Sequence, residues 1–222
     1  MISLEQQNEL FKLIGESLKN KIECYVIGGS AMLYYGTKGS TKDVDLVFEH
    51  YEDRKKIIDT LKSLGFKERS SRVVSLVYVK KKNTPIMLER DETRFDLFVN
   101  KIINTTLSDA MKERVKSLYE YEKFIVKVLA PEDLIITKCA TERAGDRKDA
   151  YEIIHSTKID WSIIIKESIY QAEVTPYLFP VFLFDFLYEL KEDLKADIPK
   201  KVLDEIKKIS EDMLERKLKR NS

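Results

Sequence analysis

The most restrictive feature of the chain is the tetrapeptide Asp43-Val44-Asp45-Leu46 within the alternating run DVDLVFE. Alternation rich in branched and aromatic residues predicts a β-strand. In a strand, residues two apart project from one face, roughly 7 Å from each other. Val44 and Leu46 therefore claim the core, and Asp43 and Asp45 share the opposite face. Two carboxylates that close repel each other, and in a partly desolvated site one of them holds a proton unless a cation stands between them. A divalent metal removes that penalty. Asp96, in the second alternating run TRFDLFVN, supplies a third oxygen ligand if its strand lies beside the first, while Phe95 and Leu97 face the core. A carboxylate set without sulfur or imidazole selects Mg²⁺ or Mn²⁺ over Zn²⁺. The plain alternative is that Asp43 caps a loop, Asp45 pairs with a lysine and Asp96 is solvated. For any one of them taken alone that is the commoner use of an aspartate.

Ahead of the aspartates, CYVIGG reads as a short buried strand stopped by glycine, and residues 30–36, SAMLYYG, as a brief helix ended by Gly36. Gly28 and Gly29 bare their backbone N–H groups, and with the Ser30 hydroxyl these can approach phosphate oxygens where a helix N-terminus favours negative charge. Glycine pairs are also ordinary turns. Tyr34 and Tyr35 can stack on a base, although core packing is the commoner role of such aromatics.

Around this motif, LEQQNELFKLIGESLKNKI places Leu10, Phe11, Ile14 and Leu18 at helical spacing, which predicts an amphipathic first helix. A helix over YEDRKKIIDTLKSLG closes at Gly65. Strands over RVVSLVYV and TPIMLER flank the turn KKKNTP, and VKSLYEYEKFIVKVLA predicts a further hairpin. From APEDLIITK onward the pattern is helical, with Pro131 opening one helix, Gly145 interrupting and Asp146 capping the next. The expected fold is α/β (α+β): a mixed sheet flanked by helices over residues 1–130, followed by a helical region over 131–222.

Composition limits the partners. The 39 basic residues against 38 acidic ones leave no global bias toward nucleic acid or membrane. The runs VKKKN and ERKLKRNS read as a solvated hairpin tip and tail, with RNA contact as the alternative. Cys24 and Cys139 have no ligand-spaced neighbour and read as core thiols of a reducing compartment, and His50 and His155 read as surface residues. The N-terminus lacks the pattern of a signal peptide and no apolar run reaches membrane-spanning length, so the chain is expected in the cytoplasm.

Ile27-Gly28-Gly29, a spacer, Asp43-Val44-Asp45-Leu46 and the later Asp96 of RFDLF together resemble the signature of the DNA polymerase β-like nucleotidyltransferase superfamily. The segments YVIGGSAMLYYG, TKDVDL and PEDLIITKCATERAGDRKDAYEII look like an uncharacterised prokaryotic branch that includes abortive-infection toxins, over roughly residues 8–156. The resemblance implies a nucleotidyltransferase fold and transfer of a nucleoside monophosphate from an NTP to an acceptor hydroxyl on RNA or tRNA, protein or a small molecule. It implies catalysis and Mg²⁺ or Mn²⁺ binding by Asp43, Asp45 and Asp96, and a phosphate cradle of Gly28, Gly29, Ser30 and Lys138 supported by Asp149. On spacing alone Lys138 is a surface lysine and Asp149 a first-turn acid. The Arg-Arg-Asp block of CCA-adding tRNA enzymes is missing after DVDLVFEHYED, which argues against tRNA maturation. The alternative function is a nucleotide-binding regulatory or antitoxin-like module without turnover. The apolar stretch PYLFPVFLFDFLYEL suggests the antitoxin-like version, and reads more simply as the core helix of the tail.

Overall fold

The alternating runs become neighbouring strands of one mixed sheet in the computed structural model, which describes residues 1–70, 84–141 and 143–220. The predicted strand RVVSLVYV and the VKKKN run lie outside the described residues. Strand β2 (Asp43–Phe48) lies between β1 (Ile22–Ile27), antiparallel to it, and β5 (Thr93–Val99), parallel to it. On the far side of β5 come β4 (Ile86–Arg90) and the short β3 (Lys67–Glu68), both antiparallel. On the far side of β1, β9 (Phe124–Val128) is parallel and forms the expected hairpin with β8 (Ser117–Tyr121). Two short strands, β6 (Lys101–Ile102) and β7 (Thr105–Thr106), extend from the end of β5.

A strand with neighbours on both sides and helices against the sheet buries more than one face. Val44, Leu46, Val47 and Phe48 are all fully buried, as are Phe95 and Leu97 of β5. The expected alternation therefore survives in β2 only at the half-exposed Asp43 and Asp45.

Helix α1 (Leu4–Ser17) begins with a capping box, in which the Ser3 hydroxyl accepts from the Gln6 N–H while the Gln6 side chain accepts from the Ser3 N–H. Its Phe11 packs edge-on against Phe124 at 5.5 Å between ring centres. The helix stops at Ser17, earlier than the predicted stretch, because Leu18 turns extended and still buries its side chain. Helix α2 (Gly28–Tyr34) starts at the glycines rather than after them. Helix α3 (Tyr51–Ser63) closes at Gly65, whose φ of +89° is the left-handed ending that glycine provides. A short helix, α4 (Asp109–Glu113), was not expected; the Ser108 hydroxyl caps it by accepting from the Met111 N–H at 3.0 Å.

Residues Met1–Ala130 form one compact unit and Pro131–Ser222 another. The second consists of α5 (Pro131–Cys139), α6 (Ala144–Ser156), α7 (Trp161–Val174), α8 (Phe179–Leu194) and α9 (Lys200–Arg220). Two expectations are corrected here. Gly145 lies inside the first turn of α6 instead of interrupting the helix, and Arg143, not Asp146, occupies the N-cap. The stretch PYLFPVFLFDFLYEL supplies most of α8, burying Phe179, Leu183, Phe186, Leu187 and Leu190, as a core helix does. The ERKLKR segment is helical to residue 220 rather than an open tail. Among the described residues no helix is long and apolar enough to cross a membrane.

Candidate active site

The β2–β5 ladder pairs Asp45 with Asp96 and Asp43 with Arg94. Residues two apart share a face, and facing residues of adjacent strands share it too. Asp43, Asp45, Arg94 and Asp96 therefore form a square of charged side chains on one side of the sheet. Asp96 is fully buried, while the Asp43 and Arg94 side chains are 27% and 20% exposed. The guanidinium of Arg94 joins two corners of the square: Nη2 lies 2.5 Å from Asp43 Oδ2, and Nε lies 2.9 Å from Asp96 Oδ1. Nη2 also donates to Asp96 Oδ2 at 3.2 Å. A buried carboxylate needs a compensating charge, and Arg94 provides one.

The sequence reading missed Arg94. Its signal was present in its position two residues before Asp96 in an alternating run, which puts both side chains on one face.

The glycine pair is explained by close packing inside the motif. Gly28, the first residue of α2 just after β1, has φ +60°, and a Cβ there would stand 2.4 Å from Asp45 Oδ2. A Cβ on Gly29 would stand 2.4 Å from Thr41 Oγ1. The turn thus brings bare backbone against Asp45 and against the loop that leads into β2. Ser30 is fully buried, and its hydroxyl donates to the Asp43 carbonyl oxygen at 2.9 Å, which Thr41 Oγ1 also reaches at 3.2 Å. The hydroxyl anchors the start of β2 to α2 instead of being presented outward to a phosphate. Tyr34 donates to Asn8 Oδ1 at 3.2 Å and stacks on Tyr119 at 4.5 Å, and Tyr35 donates to the Leu129 carbonyl at 2.8 Å. Both tyrosines are packing residues, and burial pushes the Tyr34 hydroxyl well above its usual pKa.

In the helical unit, Lys138 is a buried residue rather than a surface lysine. Its Nζ donates to Asp146 Oδ1 at 2.8 Å and to Asp149 Oδ2 at 2.5 Å. Burial pulls the ammonium pKa down, and the two carboxylates more than offset this, leaving it above the ordinary lysine value. Asp146 also accepts from the Thr141 hydroxyl. Lys138 thus ties α5 to α6, with its charge met by two acids of the next helix. His50 is the exposed N-cap residue of α3, and the exposed His155 stacks on Tyr151, so neither joins a cluster.

The donor set of the square fits a hard divalent ion in kind, with three carboxylates and neither sulfur nor imidazole. Among the described residues no three His, Cys, Asp or Glu side chains stand together at metal-ligand spacing. The guanidinium of Arg94 lies between Asp43 and Asp96.

No curated protein sequence matches the chain. Among solved structures it is similar to the antibiotic-resistance factor ANT(2'')-Ia in solution, at 14% identity and a TM-score of 0.45, covering 83% of this chain and 95% of that one. A crystal structure of ANT(2'')-Ia in complex with adenylyl-2''-tobramycin is similar at 12% identity and a TM-score of 0.38, covering 82% and 98%. An antigenic nucleotidyltransferase-like protein from Paracoccidioides brasiliensis is similar at 16% identity and a TM-score of 0.48, covering 91% and 98%. A family model described as "Nucleotidyltransferase of unknown function (DUF6036)" matches residues 4–178, a span that includes the glycine turn, all three aspartates and the Lys138 cluster. With most of its length matched, the chain belongs to this nucleotidyltransferase family.

Proposed function

We propose that the chain is a metal-dependent nucleotidyltransferase that moves a nucleoside monophosphate from an NTP to an acceptor hydroxyl, with pyrophosphate leaving. The observation that carries this reading is the pairing of Asp45 with Asp96 across β2 and β5, with Asp43 two residues back on the same face. Gly28 packed against Asp45 supports it, since only a residue without a side chain lets the backbone come this close to a carboxylate. Asp43, Asp45 and Asp96 would hold Mg²⁺ or Mn²⁺, which when bound lowers the pKa of the attacking hydroxyl and offsets charge on the phosphates. The acceptor oxygen bonds to the α-phosphorus as its proton passes to a carboxylate oxygen of Asp96. The bond from the α-phosphorus to the bridging oxygen breaks, and pyrophosphate carries off the electron pair. Gly28 and Gly29 orient the triphosphate through backbone N–H groups. Ser30, Lys138 and Asp149 hold the scaffold in this reading. The acceptor is RNA or tRNA, a protein hydroxyl or a small molecule, toxin-like modification of tRNA being the sharpest form. An NTP substrate and two buried free thiols fit the cytoplasm.

The test is incubation with each labelled NTP and Mg²⁺ or Mn²⁺, offering total RNA, total protein or tobramycin as acceptor, for the native chain and for Asp45→Asn and Asp96→Asn. Transfer by the native chain that both substitutions abolish supports the reading. Transfer that survives them refutes the site. One observation favours a second reading, a nucleotide-binding module without turnover: Arg94 already engages two of the three carboxylates. Binding of an NTP without transfer to any acceptor would favour that module.

A further inference from the structure

We propose that Arg94 is a displaceable counter-cation of the acidic site, so that a divalent ion enters by exchange with its guanidinium. The proposal rests on the metal-dependent reading above and adds a residue that controls it. Both oxygens of the Asp96 carboxylate face Arg94, Oδ1 at 2.9 Å from Nε and Oδ2 at 3.2 Å from Nη2, and the same Nη2 lies 2.5 Å from Asp43 Oδ2. An ion ligated by Asp43 and Asp96 together therefore competes with Arg94 for the same carboxylate oxygens. Charge gives the same answer. Three carboxylates with one guanidinium sum to a formal charge of −2, and a divalent ion beside an undisplaced Arg94 meets a like charge in a partly desolvated site, where repulsion is poorly screened. Register makes Arg94 suited to the task. It stands opposite Asp43 on the neighbouring strand and two residues from Asp96 on its own, so one side chain reaches both from a fixed backbone.

Exchange has consequences that a purely structural arginine lacks. The metal-free protein is held together at the square by Arg94, and metal affinity is lowered by the contacts that must be given up. The experiment is a titration with Mn²⁺, following the free-ion signal by electron paramagnetic resonance, on the native chain, Arg94→Met, Arg94→Lys and Asp45→Asn. Melting temperature is recorded for each with and without Mn²⁺. Under exchange, Arg94→Met binds Mn²⁺ at least tenfold more tightly than the native chain. Its melting temperature falls without metal and recovers when metal saturates, and Asp45→Asn loses the binding. Arg94→Lys keeps the charge but not the fork, and falls between the native chain and Arg94→Met. It carries the comparison if Arg94→Met does not fold. Equal or weaker binding by the Arg94 variants, with the native chain still binding and Asp45→Asn not, overturns exchange and leaves the metal reading standing. Absence of Mn²⁺ binding in the native chain and the Arg94 variants, or binding that Asp45→Asn leaves intact, overturns both.

Discussion

Gly28 packs against Asp45 so closely that a Cβ on the glycine would stand 2.4 Å from the Asp45 Oδ2 atom. Gly28 opens α2 directly after β1, whose last residue, Ile27, pairs with Asp45 on the antiparallel β2. The glycine turn therefore sets where the Asp45 carboxylate can sit, and Asp45 is the corner of the charged square that faces Asp96. Glycine and aspartate act here as one unit.

Gly28→Ala separates stability from activity. The left-handed φ of +60° costs about 1–2 kcal/mol for alanine. The clash adds little to that, because the atom in the way ends a side chain that can rotate. Rotation moves Asp45, so transfer falls by at least about a hundredfold, the scale of a misplaced catalytic group. Gly36→Ala is the control, with φ +67° and nothing within 4 Å of its Cβ: a similar loss of stability in urea denaturation, with transfer near native. Equal activity of the two variants would show that Asp45 needs no fixed position.

Ser30→Ala removes the donor to the Asp43 carbonyl, which keeps the Thr41 hydroxyl at 3.2 Å as a partner. The expected cost is about 0.5–1.5 kcal/mol, since the acceptor is not left bare. NTP affinity is expected to stay within about threefold of native, because the hydroxyl is fully buried and donates to the Asp43 carbonyl. A tenfold weakening measured by calorimetry would instead make Ser30 a phosphate contact.

Lys138→Met leaves Asp146 and Asp149 without their ammonium partner in a buried setting. Breaking one side of such a buried network costs about 3–5 kcal/mol, and adding Asp146→Asn and Asp149→Asn recovers a large part of it. The pH dependence has a definite sign. Folded Lys138 has a raised pKa, so its contribution is complete below the ordinary lysine value of 10.5 and is lost as pH rises through the higher folded value. Across that alkaline window the unfolded chain releases its proton first. Denaturation midpoints of the native chain should fall there more steeply than those of Lys138→Met.

Cys24 and Cys139 should resist thiol reagents until the chain unfolds. Both are buried, and burial pushes both thiols well above their ordinary pKa, with Asp185 adding to the rise at Cys139. A thiol with almost no thiolate and no access reacts slowly. Modification by Ellman's reagent should appear only as denaturant crosses the unfolding midpoint, and fast labelling in the native state would contradict the packing around both residues.

Local pattern determined a good part of this protein. The alternation in DVDLVF and TRFDLF marked two strands and the face on which Asp43, Asp45 and Asp96 would lie, because side-chain direction in a strand follows from a period of two. The hairpin after residue 116, the Gly65 helix ending and the predominantly helical character of the described residues from Pro131 onward were legible for the same reason, being consequences of near neighbours in the chain. Tertiary structure decided what those residues touch. That β2 and β5 are adjacent and parallel, with Asp45 level with Asp96, depends on pairing between segments about 50 residues apart, which no local spacing encodes. The same pairing brought Arg94 between two aspartates, and the packing of α5 on α6 turned Lys138 from one lysine among many into a buried tie between helices. A charge reads the same in any sequence, and only the fold chooses its partner.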